Sequence, residues 1–305
     1  MTSHRMTLAI AATAGAALFS ACGSSSIDGS PGKASDGPVL VVASTNVYGD
    51  IAESIGGPDV EVTSVLSDPA QDPHSFEANP RTALAISKAD MLIENGGGYD
   101  DYMDTLRKSS DSNATVVNVV ELSGRKAAEG EELNEHVWYD LPTVQKLAAR
   151  IADDLAKADS EHTADFEDRA KALTGQLDEL IAQEKDIAAT ATGKAVGVTE
   201  PVPLYLSEAC GLINKTPEEF MEAIEEGDDI APPILQQTLD MYRAKRVDAL
   251  LYNEQTAGPI TERVKAAATN AGVPVVPVTE TLSPGMDYVT WMRDTIAAVG
   301  AAVGG

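Results

Sequence analysis

Residues 160 to 190, SEHTADFEDRAKALTGQLDELIAQEKDIAAT, constrain the fold more than any other stretch. Phe166, Ala170, Leu173, Leu177, Leu180 and Ile181 recur at helical spacing with charged residues around them, and no proline and only one glycine, Gly175, interrupts the run. Such a stretch forms one helix of about 25 residues or more, near 40 Å long at 1.5 Å per residue. On each side of it, short Val/Ile-rich runs alternate with helical patterns. VLVVAS (39–44), VEVTSVL (60–66), MLIEN (91–95) and TVVNVV (115–120) read as strands before the helix. KAVGVTE (194–200), VDALLYNE (247–254) and VPVVPVTE (273–280) read as strands after it, with a further short strand between 211 and 215. Between them, NPRTALAISKAD, PPILQQTLDMYRAKR and PITERVKAAATNAG show helical periodicity, several with proline near the start and glycine past the end. Strands alternating with helices imply parallel sheets covered on both faces. The expected fold is therefore α/β: two lobes with mainly parallel sheets flanked by helices, joined by one long rigid helix. The expected boundaries are 38–159 for the N-terminal lobe, 160–190 for the linking helix and 191–305 for the C-terminal lobe.

The chain begins with a basic position at Arg5, an apolar run from Thr7 to Phe19, and small residues up to Cys22. The apolar run is shorter than the roughly 20 residues that span a bilayer, so residues 1–21 read as a signal peptide. Ser20-Ala21-Cys22 looks like a bacterial lipobox with Phe19 where leucine is commonest, which makes Cys22 the expected lipidation site; an ordinary cut near Ala21 is the alternative. Residues 22–37, rich in Gly and Ser, have the composition of a flexible tether. The protein is expected to be extracytoplasmic, anchored to the cell membrane by the lipidated cysteine alone. Of the two cysteines, Cys210 then has no disulfide partner within the chain and reads as a small buried apolar residue. The net charge of −26 argues against nucleic acid and against an anionic membrane surface as partners of the globular body.

In parallel α/β sheets, ligands gather beyond the carboxyl ends of the strands. Four metal-capable residues fall there. His74, in the proline-bracketed loop DPHSFEANP, follows the 60–66 strand, and His136, in NEHVWYD, follows the 115–120 strand. Glu200 ends KAVGVTE and Glu280 ends VPVVPVTE. Each of them alone reads equally well as a solvated loop residue. Together they are harder to dismiss, because the only other histidines are His4 in the leader and His162 at the start of the linking helix. Two neutral imidazoles and two carboxylates balance a divalent cation, whereas two carboxylates buried without one repel each other.

DPHSFE resembles the Asp-Pro-His-X-Tyr/Phe-Glu motif, and HVWYD the His-X-Trp-X-Asp motif, of the metal-binding solute-binding lipoproteins of zinc and manganese ABC importers. The resemblance runs from about residue 38 to the C-terminus. It implies two α/β lobes about a rigid helix, with one divalent transition metal ion in the cleft between them. Carried over, it makes His74, His136, Glu200 and Glu280 the ligands, and gives Glu77 and Asp140 supporting or structural places. Zinc importers of this family often have a third ligand histidine and a histidine-rich loop. Glu200 at the third position and the histidine-free loop SGRKAAEGEELNE resemble the manganese branch instead. Manganese is the first expectation, zinc the second and iron(II) the third.

The expected function is that of a receptor, not an enzyme. It captures a divalent metal and delivers it to an ABC permease whose ATPase is a separate subunit, since the chain has no G-x-x-x-x-G-K-[ST] loop. It is expected to act as a monomer, to bind metal less well as pH falls through the histidine range, and to move little on binding. A secreted metallohydrolase is a weaker alternative because no H-E-x-x-H pair is present. A metal-binding adhesin lipoprotein lacks any adhesive repeat here. A receptor for a non-metal solute leaves His74 and His136 unexplained.

Overall fold

The computed structural model describes residues 37–68, 76, 79–127 and 133–304. These fall in one compact unit. The first sheet contains β1 (Val39–Thr45), β2 (Val60–Leu66), β3 (Met91–Glu94) and β4 (Thr115–Asn118) in the order β2-β1-β3-β4. The second contains β5 (Ala195–Val198), β6 (Ile213–Asn214), β7 (Ala249–Asn253) and β8 (Val275–Val278) in the order β6-β5-β7-β8. Every pairing is parallel. The two lobes thus repeat one topology, in which the strand order reverses beside the first strand of each sheet.

Both faces of the central strands of each sheet are buried, and strand periodicity divides their side chains between two cores. Val41 and Ala43 of β1 and Met91 and Ile93 of β3 join a large central core, while Val42 and Leu92 turn to an outer core with Ile86 and Met103. The second sheet divides in the same way: Ala249 and Leu251 face the central core, and Leu250 and Tyr252 face an outer one with Phe220, Leu239 and Tyr242. The central core is continuous between the lobes.

Helices fill the crossovers: α1 (Asn46–Gly56), α2 (Pro80–Lys88), α3 (Asp101–Ser109), α4 (Val119–Ser123) and α5 (Leu141–Ala158) in the first lobe. Asn79 caps α2 by accepting from the backbone N–H groups of Arg81 and Thr82, with Pro80 in the first turn where its missing N–H costs nothing. The linking helix is α6 (Thr163–Ala191), 29 residues long and hence about 44 Å. It begins after a single 3-10 turn at Ser160–His162. Phe166, Ala170, Leu173, Leu177 and Leu180 form its buried stripe, which packs on α1 and α5 and on α11. The second lobe adds α7 (Leu204–Ala209), α8 (Glu218–Glu225), α9 (Pro232–Arg243), α10 (Pro259–Ala271) and α11 (Tyr288–Gly304). Cys210, just past α7, is fully buried, and burial pushes its thiol up to about 12, with repulsion from Glu184 adding to the effect. No helix among the described residues is long and apolar enough to cross a membrane.

Among the shifts at strand ends, two bear on the site. The run 115–120 is strand only to Asn118, because the Asn118 side chain accepts from the Glu121 N–H and starts α4, which takes Val119 and Val120. The run 194–200 is strand only to Val198, so that Thr199 and Glu200 lie beyond the sheet edge.

Candidate metal centre

The carboxyl ends of the two sheets face each other. From the second lobe, Glu200 follows β5, Glu280 follows β8, and Asn253 is the last residue of β7 between them. All three are buried. The Asn253 amide donates one N–H to Glu200 Oε2 at 2.6 Å and the other to Glu280 Oε1 at 2.9 Å. Glu200 Oε2 also accepts from the Thr256 hydroxyl at 2.5 Å, and Glu280 Oε2 from the Tyr99 hydroxyl of the first lobe at 3.1 Å. These neutral donors fix both carboxylates without neutralising them.

The first lobe contributes His136, which is fully buried at the end of the segment leading into the turn Val137–Tyr139. Its ring packs edge-on against Trp138 at 5.0 Å and Tyr99 at 6.0 Å. Nδ1 lies 2.7 Å from Asn134 Oδ1, which also accepts the His136 backbone N–H at 3.1 Å. The Asn134 amide nitrogen donates to the Pro201 carbonyl, so the oxygen must face the ring. Nδ1 therefore carries the proton, and Nε2 presents its lone pair. That lone pair faces Glu225 Oε1 at 3.5 Å and Glu280 Oε2 at 3.9 Å. Glu135, His136 and Glu225 also offer donor atoms within 4.8 Å of one another.

Of the residues expected from sequence, the structure brings His136, Glu200 and Glu280 to one place. His74 and Glu77 lie outside the described residues, as does Cys22. Phe76, between them, stacks on Tyr102 with ring centroids 4.6 Å apart. Asp140 does not touch the His136 ring. Arg125 clamps it through Nη2 at 2.8 Å, and its backbone carbonyl accepts from Thr143 at the start of α5. The partner of the histidine ring is Asn134, which no motif reading singled out.

Glu225, at the end of α8, was also missed. A start signal was present in Thr216-Pro217-Glu218-Glu219 and a stop in Gly227, but the intervening helix is only 8 residues long. Burial pushes the Glu225 carboxyl up to about 9, and repulsion from Glu135, Glu200 and Glu280 adds to it. The chemistry of the cluster is a buried imidazole beside the buried carboxylates of Glu200 and Glu280 and the partly buried ones of Glu135 and Glu225. A divalent cation would remove the repulsion that the neutral donors leave in place.

Comparison with known proteins gives the same fold. The periplasmic zinc-binding protein TroA from Treponema pallidum superposes with a TM-score of 0.75 at 21% identity, covering 88% of this chain and 99% of that one. In sequence, the manganese-binding lipoprotein MntA of Halalkalibacterium halodurans is 30% identical over 187 residues, 59% of this chain and 61% of that protein. The match thus spans less than two thirds of that relative. The manganese ABC transporter substrate-binding lipoprotein scaA of Streptococcus gordonii is 27% identical over 248 residues, 76% of each chain. Residues 41–302 match the family described as ZnuA, zinc-uptake complex component A, periplasmic, and this chain belongs to that family.

Proposed function

We propose that this protein is the extracytoplasmic receptor of an ABC importer for a divalent transition metal, held by His74, His136, Glu200 and Glu280. The observation that carries this reading is the convergence of a proton-directed His136 with buried Glu200 and Glu280 across the two lobes. In this reading, the cation is cargo. Asn134 keeps Nε2 of His136 aimed at it, Asn253 holds the two carboxylates at a fixed separation, and Tyr99 ties the first lobe to Glu280. The chain performs no catalysis. It passes the ion to a permease driven by a separate ATPase subunit, as a monomer tethered outside the membrane through lipidated Cys22. The names of the relatives support this assignment, as MntA is called a manganese-binding lipoprotein and scaA a substrate-binding lipoprotein. Manganese is the favoured cargo, since an oxygen-rich donor set suits it better than an imidazole-rich one, with zinc as the competitor.

Elemental analysis of protein purified under metal-replete conditions, followed by titration with manganese and zinc, tests the assignment. The expected result is one ion per chain in the wild type and its loss in His136→Ala and Glu280→Ala variants that remain folded. A folded wild type that takes up neither metal overturns it.

A further inference from the structure

Glu225 stands beyond the expected ligand set, on the last turn of α8. We propose that Glu225 is a fifth metal-facing residue, the third carboxylate of the site, and that it sets the preference of the site for manganese over zinc. The inference rests on the metal-receptor reading above.

Spacing is the first support. Two donors bound to one ion at about 2.1 Å lie about 3.0 to 3.4 Å apart at octahedral and tetrahedral angles. Glu225 Oε1 is 3.5 Å from His136 Nε2, close to that spacing and longer than an ordinary hydrogen bond. Glu280 Oε2, an expected ligand atom, is slightly farther from the same nitrogen at 3.9 Å. The second support is the orphaned oxygen: Glu225 Oε1 is buried and accepts no hydrogen bond among the described residues. Leaving a buried carboxylate oxygen without a donor costs about 1–3 kcal/mol or more, which a bound cation removes. The third is the lack of a protein cation. Among the described residues no lysine or arginine forms an ion pair with Glu225, and the acidic neighbours that act on it are Glu135, Glu200, Glu280 and Glu226.

Selectivity follows from coordination number. Zinc is satisfied by four donors in a tetrahedron, a count that His74, His136, Glu200 and Glu280 already reach. Manganese favours an octahedral shell rich in oxygen. A fifth donor residue, here a third carboxylate, therefore adds to the manganese shell and is surplus to the zinc one. Only the difference between the two metals separates this role from a structural one.

The test is a competition titration of wild type, Glu225→Ala and Glu225→Gln with manganese chloride and zinc chloride against a chromophoric chelator. Manganese affinity is expected to fall about tenfold or more in Glu225→Ala, with zinc affinity changing less than about threefold. Should Glu225→Ala not fold, Glu225→Gln carries the test: it keeps the shape and an oxygen donor but loses the charge, so a smaller fall confined to manganese is expected. Equal losses for both metals, or no loss for either, overturn the role of Glu225 while leaving the receptor reading intact. A wild type that binds neither metal overturns the receptor reading and this inference with it.

Discussion

Glu184 breaks the apolar stripe of α6 with a carboxyl group that is only 3% exposed, and its Oε1 accepts no hydrogen bond among the described residues. Burial raises its carboxyl from the usual range to about 8, repulsion from Asp140 adds to the shift, and Lys185 offsets part of it. The sign of the consequence is fixed by proton counting. Below about pH 4.5 both folded and unfolded chains hold the proton, so the group is neutral towards stability. Between about 4.5 and 8 the unfolded chain releases it and the folded chain keeps it, so folding stability falls as pH rises, levelling off above 8. Glu184→Gln removes the acidic proton and leaves the shape. The variant is expected to melt with the wild type near pH 4.5 and above it near pH 8, by about 2 kcal/mol, roughly 3–4 °C at this chain length. Thermal melts of the two proteins across that range check this, and a gap that does not widen with pH contradicts it. The same scale explains what sequence could reveal of the site. Glu200 and Glu280 stood out as carboxylates just past strand runs, and His136 as one of only four histidines in the chain. Asn134 and Glu225 did not, because their roles depend on where a loop and a short helix from opposite lobes come to rest.

Among the elements, α6 was readable because its periodicity is long and uninterrupted, and α8 was not, because at 8 residues it is too short for a periodic pattern to repeat. Strand ends erred in both directions: β1 runs one residue past the expected 39–44 to Thr45, while the 115–120 run lost Val119 and Val120 to α4, since Asn118 caps a helix where β-branched residues suggested more strand. The one glycine within α6 yields an independent test. A Cβ built on Gly175 meets nothing within 4 Å, and its backbone lies within the helix. Gly175→Ala is expected to stabilise the fold by about 0.5–1 kcal/mol, by lowering the backbone entropy of the unfolded chain. Gly197 in β5 offers the contrast, since a Cβ there collides with the Tyr242 hydroxyl, and Gly197→Ala is expected to destabilise. Denaturant titrations giving the two substitutions the same sign would contradict this reading of helix and strand.

At the scale of the molecule, the lobes are tied together well beyond the linking helix. Asn46 and the Leu282 backbone exchange two hydrogen bonds at 2.9 Å, the Tyr139 hydroxyl donates to the Thr279 carbonyl at 2.8 Å, and the Tyr288 hydroxyl donates to the Trp138 carbonyl at 2.6 Å. Near the site, Tyr205 donates to the Asn134 carbonyl at 2.6 Å and Tyr99 to Glu280 at 3.1 Å. Beneath them runs one apolar core that includes Ile93 and Val117 of the first lobe, Leu177 and Leu180 of α6, and Val198 and Leu251 of the second. Opening a hinge would expose that apolar core to water and exchange these hydrogen bonds for bonds to water, at a net cost of about 0.5–1.5 kcal/mol each. In the proposed receptor, metal uptake is therefore expected to proceed by local rearrangement at the mouth of the site, not by rotation of one lobe against the other. Solution scattering of the metal-free and metal-loaded protein is expected to give radii of gyration that agree within about 0.5 Å, on a value of about 18 Å for a body of this size. Hydrogen exchange should instead show protection gained at the strand-end loops, with α6 and α11 unchanged. A contraction of 1 Å or more, on the order expected of hinge closure, would mean that the shared core parts in the empty protein. Tyr99 offers a finer check within the same experiment, since Tyr99→Phe keeps the ring in its aromatic cluster and removes its hydrogen bond from the first lobe to Glu280. If that bond helps hold the empty cleft shut, the variant exchanges faster at the strand ends only when metal is absent.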